Sequence, residues 1–202
     1  MYEQLHVKIK GTLPCLQQNG RMKNPLDPWA KEIRKYSKKR TKTDEDHISM
    51  MEAEFKGSLY VRDESTGNGI YWPADNVHAC IKTWAKQKKL GKVIDSAGIV
   101  RDDVVFDHDG PDNRNSLWES EEHRYVKATR RGTMCCRPIF REWACHIDIE
   151  FISDLLDRED LKSLIVDAGK YLGLSAWPRR FGLFEVTQFS KSLKNESSKE
   201  SA

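Results

Sequence analysis

The chain has 202 residues, 38% of them hydrophobic and 32% charged, with a formal net charge of +3 and a mean hydropathy of −0.71. That length gives room for one well-buried core and excludes two large ones, and no apolar run approaches the about 20 residues of a membrane-spanning helix. Five cysteines, an odd number without a C-x-x-C pair, exclude a disulfide framework or a zinc ribbon and read as reduced thiols of a cytoplasmic protein.

Residues 5–11 alternate Leu5, Val7 and Ile9 against His6, Lys8 and Lys10, which predicts a half-buried strand with a basic outer face. The amino end alternates in the same way and lacks the uninterrupted apolar stretch of a secretory signal. Pro14, Asn19, Gly20, Asn24, Pro25, Asp27 and Pro28 then mark a long loop. A helix follows from Trp29 to Lys39, and a second from Asp44 to Lys56, with Thr43 as N-cap and Ile48, Met51 and Phe55 as its apolar stripe. The pair forms a helical insertion over residues 25–57, with its basic connection, KKRTKT, exposed. A β-hairpin at 58–62 and 70–72 surrounds the polar turn ESTGNG. Pro73 opens a helix that reaches residue 90, its apolar side built from Val77, Cys80, Ile81 and Trp84 and its carboxyl end loaded with lysines.

Residues 97–106 read as a strand or strand pair, and the acidic stretch 107–122 as a loop that would serve as a lid. Tyr125–Arg131 and Thr133–Ile139 pair as a hairpin. Residues 144–151 alternate most cleanly, with Cys145, Ile147, Ile149 and Phe151 on one face and His146, Asp148 and Glu150 on the other. A helix from Arg158 to Leu172 and a strand over 181–188 complete a β-α-β unit. The reading is one α+β domain over 1–189, followed by a tail, 190–202, too polar to bury anything and therefore disordered.

Basic residues cluster rather than scatter. Lys38, Lys39 and Arg40 lie in the first run; Lys86, Lys88 and Lys89 in the second; Arg130, Arg131 and Arg137 in the third. Such segregation suits a polyanion-binding face. The stretch Gly173–Val186, GLSAWPRRFGLFEV, joins a glycine helix stop, a stiff loop and a strand. Within it Trp177 precedes a proline and sits beside Arg179 and Arg180, a pairing suited to base stacking and phosphate binding. Trp29, also next to a proline and basic residues, is a second stacking candidate.

Without its insertions the order is strand, helix, two strands, helix, strand, the ferredoxin-like β-α-β-β-α-β order of RNA-recognition domains. Two stretches carry a resemblance. IYWPADNVHACIKTWAK resembles the opening of the first helix in the RAMP superfamily, which includes the Cas7-type CRISPR backbone proteins, and GLSAWPRRFGLFEV resembles the glycine-containing loop near the carboxyl end of those proteins. Ala74, Asp75 and Asn76 stand where that family usually has Gly-Ser-Ser. The resemblance implies a modified RNA-recognition fold that holds single-stranded nucleic acid in a basic groove without chemistry. Size and make-up also resemble small proteins of tailed phages, which would place the chain in a host cytoplasm and add a further reading: an inhibitor of a host defence complex that mimics one of its subunits.

The alternative enzymatic reading is a metal-dependent nuclease. His146, Asp148 and Glu150 would share a strand face and Asp102, Asp103, Asp107, His108 and Asp109 an acidic loop, although Ile152 stands where the common nuclease pattern has lysine. Cys135 and Cys136, beside arginines, are candidates for a lowered thiol pKa, with burial as the competing expectation. No serine-hydrolase, phosphate-loop or dinucleotide motif occurs. The sequence therefore points to a binding protein with no cofactor and no resident metal. Its expected partner is single-stranded RNA or DNA, bound through Lys38, Lys39, Arg40, Lys86, Lys88, Lys89, Arg130, Arg131, Arg137, Trp177, Arg179 and Arg180, with self-association along the strand or a nucleoprotein complex as the assembly.

Overall fold

A computed structural model describes residues 1–128 and 134–190. The chain is an α+β protein with antiparallel sheets and six α-helices among the described residues. Strand β1 (Tyr2–Gly11) is followed by the short β2 (Cys15–Leu16), a 3₁₀ turn (Gly20–Lys23) and the helices α1 (Pro28–Ser37) and α2 (Asp44–Ser58). The hairpin β3 (Val61–Asp63) and β4 (Asn68–Ile70) leads to α3 (Ala74–Gln87) and α4 (Gly91–Ala97). Then come β5 (Gly98–Val100), β6 (Val105–His108), α5 (Arg114–Glu119), β7 (Arg124–Ala128), β8 (Met134–Phe140), β9 (Trp143–Ile152), α6 (Arg158–Tyr171) and β10 (Phe184–Ser190).

The main sheet runs β10-β1-β9-β5, and β6 also pairs with β9. β1 and β9 pair in unbroken register from Tyr2 opposite Ile152 to Lys10 opposite Ala144. Alternation then does the sorting: Leu5, Val7 and Ile9 meet Cys145, Ile147, Ile149 and Phe151 on the buried face, while His6, Lys8, His146, Asp148 and Glu150 take the other. Val77, Ile81 and Ala85 of α3 and Leu161, Leu164, Ile165 and Ala168 of α6 join the same core. Burying each large aliphatic chain contributes about 1.5–3 kcal/mol. A second sheet, β2-β8-β7, stands beside α2.

Local chemistry explains the helix ends. Thr43 and Asp46 form a reciprocal capping box, and Asp157 caps α6. Pro73 offers no side chain to cap α3, so the Ala74 N–H donates to Asp103 Oδ1 at 3.1 Å instead.

Several expectations need correction. Residues 107–122 are not a free lid: Asn113 caps α5, whose Arg114, Leu117 and Trp118 are buried. The last strand begins at Phe184 rather than Phe181, because Gly182 takes φ +76 and its N–H donates to Pro14 O, outside any ladder. Of the expected α2 stripe, Phe55 is buried and Met51 packs half-buried against the core, whereas Ile48 is exposed and the buried side extends through Ala53, Gly57 and Ser58. Residues 91–97 form a short helix that the sequence reading missed. Ser190, placed in the tail, ends β10, and residues 191–202 lie outside the described residues. Among the described residues no helix is long and apolar enough to cross a membrane.

Candidate nucleic-acid interface

The loop between α6 and β10 is closed by two glycines. Gly173 and Gly182 have φ of +84 and +76, and a Cβ on Gly182 would stand 2.3 Å from Leu174 O. Only glycine fits such an approach. The loop is also bonded to the segment after β1. The Gly182 N–H donates to Pro14 O at 2.7 Å and the Ala176 N–H to Leu16 O at 2.9 Å, while Ser175 Oγ accepts from Leu16 N at 3.0 Å. Arg179 N donates to Leu172 O at 2.7 Å although Arg179 itself sits at φ +68, a left-handed conformation that costs a non-glycine residue about 1–2 kcal/mol.

Held in this way, Trp177 is half-buried. It packs edge-on against Tyr125, 5.6 Å between ring centroids, and joins a small cluster with Leu16, Ile139 and Phe181. Lys127 Nζ and Arg137 Cζ each lie 5.2 Å from the Trp177 ring. Pro178, Arg179 and Arg180 are exposed at the tip. Part of the indole therefore belongs to the fold and part remains exposed, with two cations near its ring.

Beside the loop is a cavity of about 370 Å³ whose lining includes Asn19, Tyr60, Asn76, Thr83, Gly173 and Ser175. Its wall joins α3 to the loop directly, because the Cys80 thiol donates to Gly173 O at 3.3 Å. Trp72 also lines the cavity, and its indole N–H is buried without a protein partner among the described residues. Hydroxyl and amide groups around a space of this size suit a small planar polar group.

Of the sequence candidates, the structure brings Trp177, Arg137, Arg179 and Arg180 together. Arg137 is mostly buried, donating from Nε to Cys135 Sγ at 2.9 Å with Nη2 4.0 Å from Glu54, so it supports the indole more than it faces solvent. Lys38 and Arg40 lie on the α1–α2 connection, and Lys39 Nζ is bound to Asp46 at 2.6 Å. Lys86, Lys88 and Lys89 end α3, with Lys88 Nζ 3.7 Å from Asp167. Arg130 and Arg131 lie outside the described residues. Lys127 was passed over as a site residue; its signal was the two-residue spacing from Tyr125, which puts both on one side of β7. Trp29 is half-buried at the start of α1, with the Arg114 guanidinium 5.2 Å from its ring, away from the Trp177 loop cluster.

The metal candidates do not converge. Asp148 pairs with His6, His146 with Asp107, and Glu150 with Arg101 and Gln4. Among the described residues no three His, Cys, Asp or Glu side chains are grouped to hold an ion. The thiol candidates also move the other way. Burial raises Cys135 despite its bond from Arg137, and pushes Cys136 up to about 12. No protein-family model matches the chain, and no curated protein matches it.

Proposed function

We propose that this protein binds single-stranded nucleic acid through the Gly173–Gly182 loop and the cavity beside it, and that binding there involves no chemistry. One observation carries the reading: the two stretches that resemble the RAMP superfamily, 70–86 and 173–186, line the same cavity and are joined by the Cys80–Gly173 hydrogen bond. A base in the cavity, the next stacked on Trp177, and phosphates on Arg179, Arg180 and Lys127 would use every exposed group of the loop. A ferredoxin-like fold is part of the proposal. It is supported by the strand order β10-β1-β9-β5, with α3 falling between β1 and β5 in the chain and α6 between β9 and β10.

The test is a filter-binding titration with single-stranded RNA, single-stranded DNA and both duplexes at two salt concentrations. Single strands are expected to bind more tightly than duplexes, with affinity falling steeply as salt rises because each phosphate contact releases a counterion. Affinity that is flat in salt, or a protein that binds no strand, ends this reading and leaves a protein partner as the target of the loop.

A further inference from the structure

A second cavity, of about 500 Å³, lies against the helical pair α1 and α2. Ile33 of α1 and Met50 and Met51 of α2 face it, and Met22 of the 3₁₀ turn and Met134 of β8 complete its apolar wall. His47, Met50, Met51 and Glu54 also share one side of α2 by helical spacing, so the same stripe that brings thioethers to the space brings an imidazole and a carboxylate. Unbranched thioethers re-pack around irregular occupants, and a cavity of this size with few polar groups has the usual form of a small-molecule site. Those polar groups differ in what they have left to offer. Glu54 is fully committed: Oε1 accepts from Cys135 Sγ at 3.3 Å and Oε2 from the Cys136 N–H at 3.0 Å. Lys42, which also lines the cavity, donates from Nζ to Lys39 O at 2.9 Å, one of the three donors of an ammonium. The His47 ring makes no hydrogen bond or ion pair among the described residues.

We propose that this cavity binds an aliphatic carboxylic acid, with its chain among the methionines and its carboxylate on Lys42 and His47. The walls select the chain, because methylenes leave water for thioether and isoleucine side chains that offer no hydrogen bond to a polar occupant. The free donors select the head. Lys42 has ammonium protons to spare and His47 a ring N–H, whereas the one carboxylate of the wall already holds two protein donors, so a cationic head finds no free acceptor there. Binding makes and breaks no covalent bond. The cavity shares only Gln18 and Met22 with the one beside the Gly173–Gly182 loop, and the inference does not rest on nucleic-acid binding.

The experiment titrates the full chain by calorimetry with saturated straight-chain acids of increasing length, each below its micelle-forming concentration, and with the alcohols and amines of the same chains. Each added methylene is expected to tighten binding about fourfold until the cavity is full. The acid should bind about 10–100-fold more tightly than the alcohol or amine of equal length. Lys42→Met combined with His47→Ala should bring the acid down to the level of the alcohol and leave the alcohol unchanged. Met50→Trp, at a residue that lines this cavity and not the other, fills the space and should abolish binding of all three series. Thermal melting checks its fold, and Met134→Trp, at an exposed position of β8, replaces it if it does not fold. No binding of any acid, affinity flat in chain length, an alcohol or amine that matches the acid, binding only above the micelle-forming concentration, or binding that survives the filling variant would each overturn the proposal. Single-strand affinity of the Met50→Trp protein is expected to be unchanged, so this inference and the reading of the loop fail separately.

Discussion

The connection between α1 and α2 and the loop between α6 and β10 both expose a run of cations, and they differ in where those cations turn. In the connection, Lys39 is bonded to Asp46 and Lys42 Nζ donates to Lys39 O at 2.9 Å, so charge is consumed within the segment. In the loop, Lys127 of β7 and Arg137 of β8 reach one indole from a different part of the chain, and the tip arginines project past it. A run of positive charge is a property of composition. A convergence of charge on an aromatic ring depends on strand register and on a loop held at both ends, and that makes the second segment the better candidate for recognition.

The comparison can be broken first at its brace. Gly182→Ala combines a left-handed φ with a backbone clash, and is expected to destabilise the protein by about 2–4 kcal/mol and to abolish binding, read by thermal melting and filter binding together. Trp177→Ala should weaken single-strand affinity by about 1–3 kcal/mol. Its half-buried ring makes the accompanying loss of stability smaller than the about 3–5 kcal/mol expected for a fully buried tryptophan such as Trp72. A Trp177→Ala protein that loses stability like Trp72→Ala yet binds normally would make the indole a packing residue. The pair Arg179→Ala and Arg180→Ala should leave melting nearly unchanged and reduce the salt slope by roughly one unit per phosphate lost.

The smallest effect belongs to the connection. The Lys39 hydrogen bond holds the Asp46 carboxyl below its ordinary 3.8, so its stabilising contribution is present above that value and is lost as pH falls below it. Lys39→Ala should therefore flatten the acid limb of a pH–stability curve. If Lys38→Ala, Lys39→Ala and Arg40→Ala combined instead cut affinity as much as the two loop arginines, charge counting alone would have been enough.

Much of the frame was readable from the residues. The strict alternation of Cys145, Ile147, Ile149 and Phe151 and the Thr43 and Gly173 stops correspond to β9, the start of α2 and the end of α6, because each rests on neighbours in sequence. What stayed hidden depends on contacts far along the chain. α5 is six residues, too short to show a period, and is held by Asn113 and by burial of Trp118. The cap of α3 comes from Asp103, 29 residues away. Lys127 gained meaning only when β7 paired with β8 beneath Trp177. The His146–Asp107 pair needed β6 to lie beside β9, and the His6–Asp148 pair needed β1 to lie beside β9, which no local pattern signals.

The five thiols have a use that their chemistry does not advertise. All are free and buried, and burial raises Cys15, Cys80, Cys136 and Cys145, so a thiol reagent meets almost no thiolate until the surrounding structure opens. Alkylation is then a stopwatch for native-state breathing: Cys145, in the middle of the main sheet, times global unfolding, while Cys135, on a strand of the smaller sheet, times any partial opening that precedes it. Peptide mapping after graded exposure would give the order in which the molecule comes apart, with no reporter introduced.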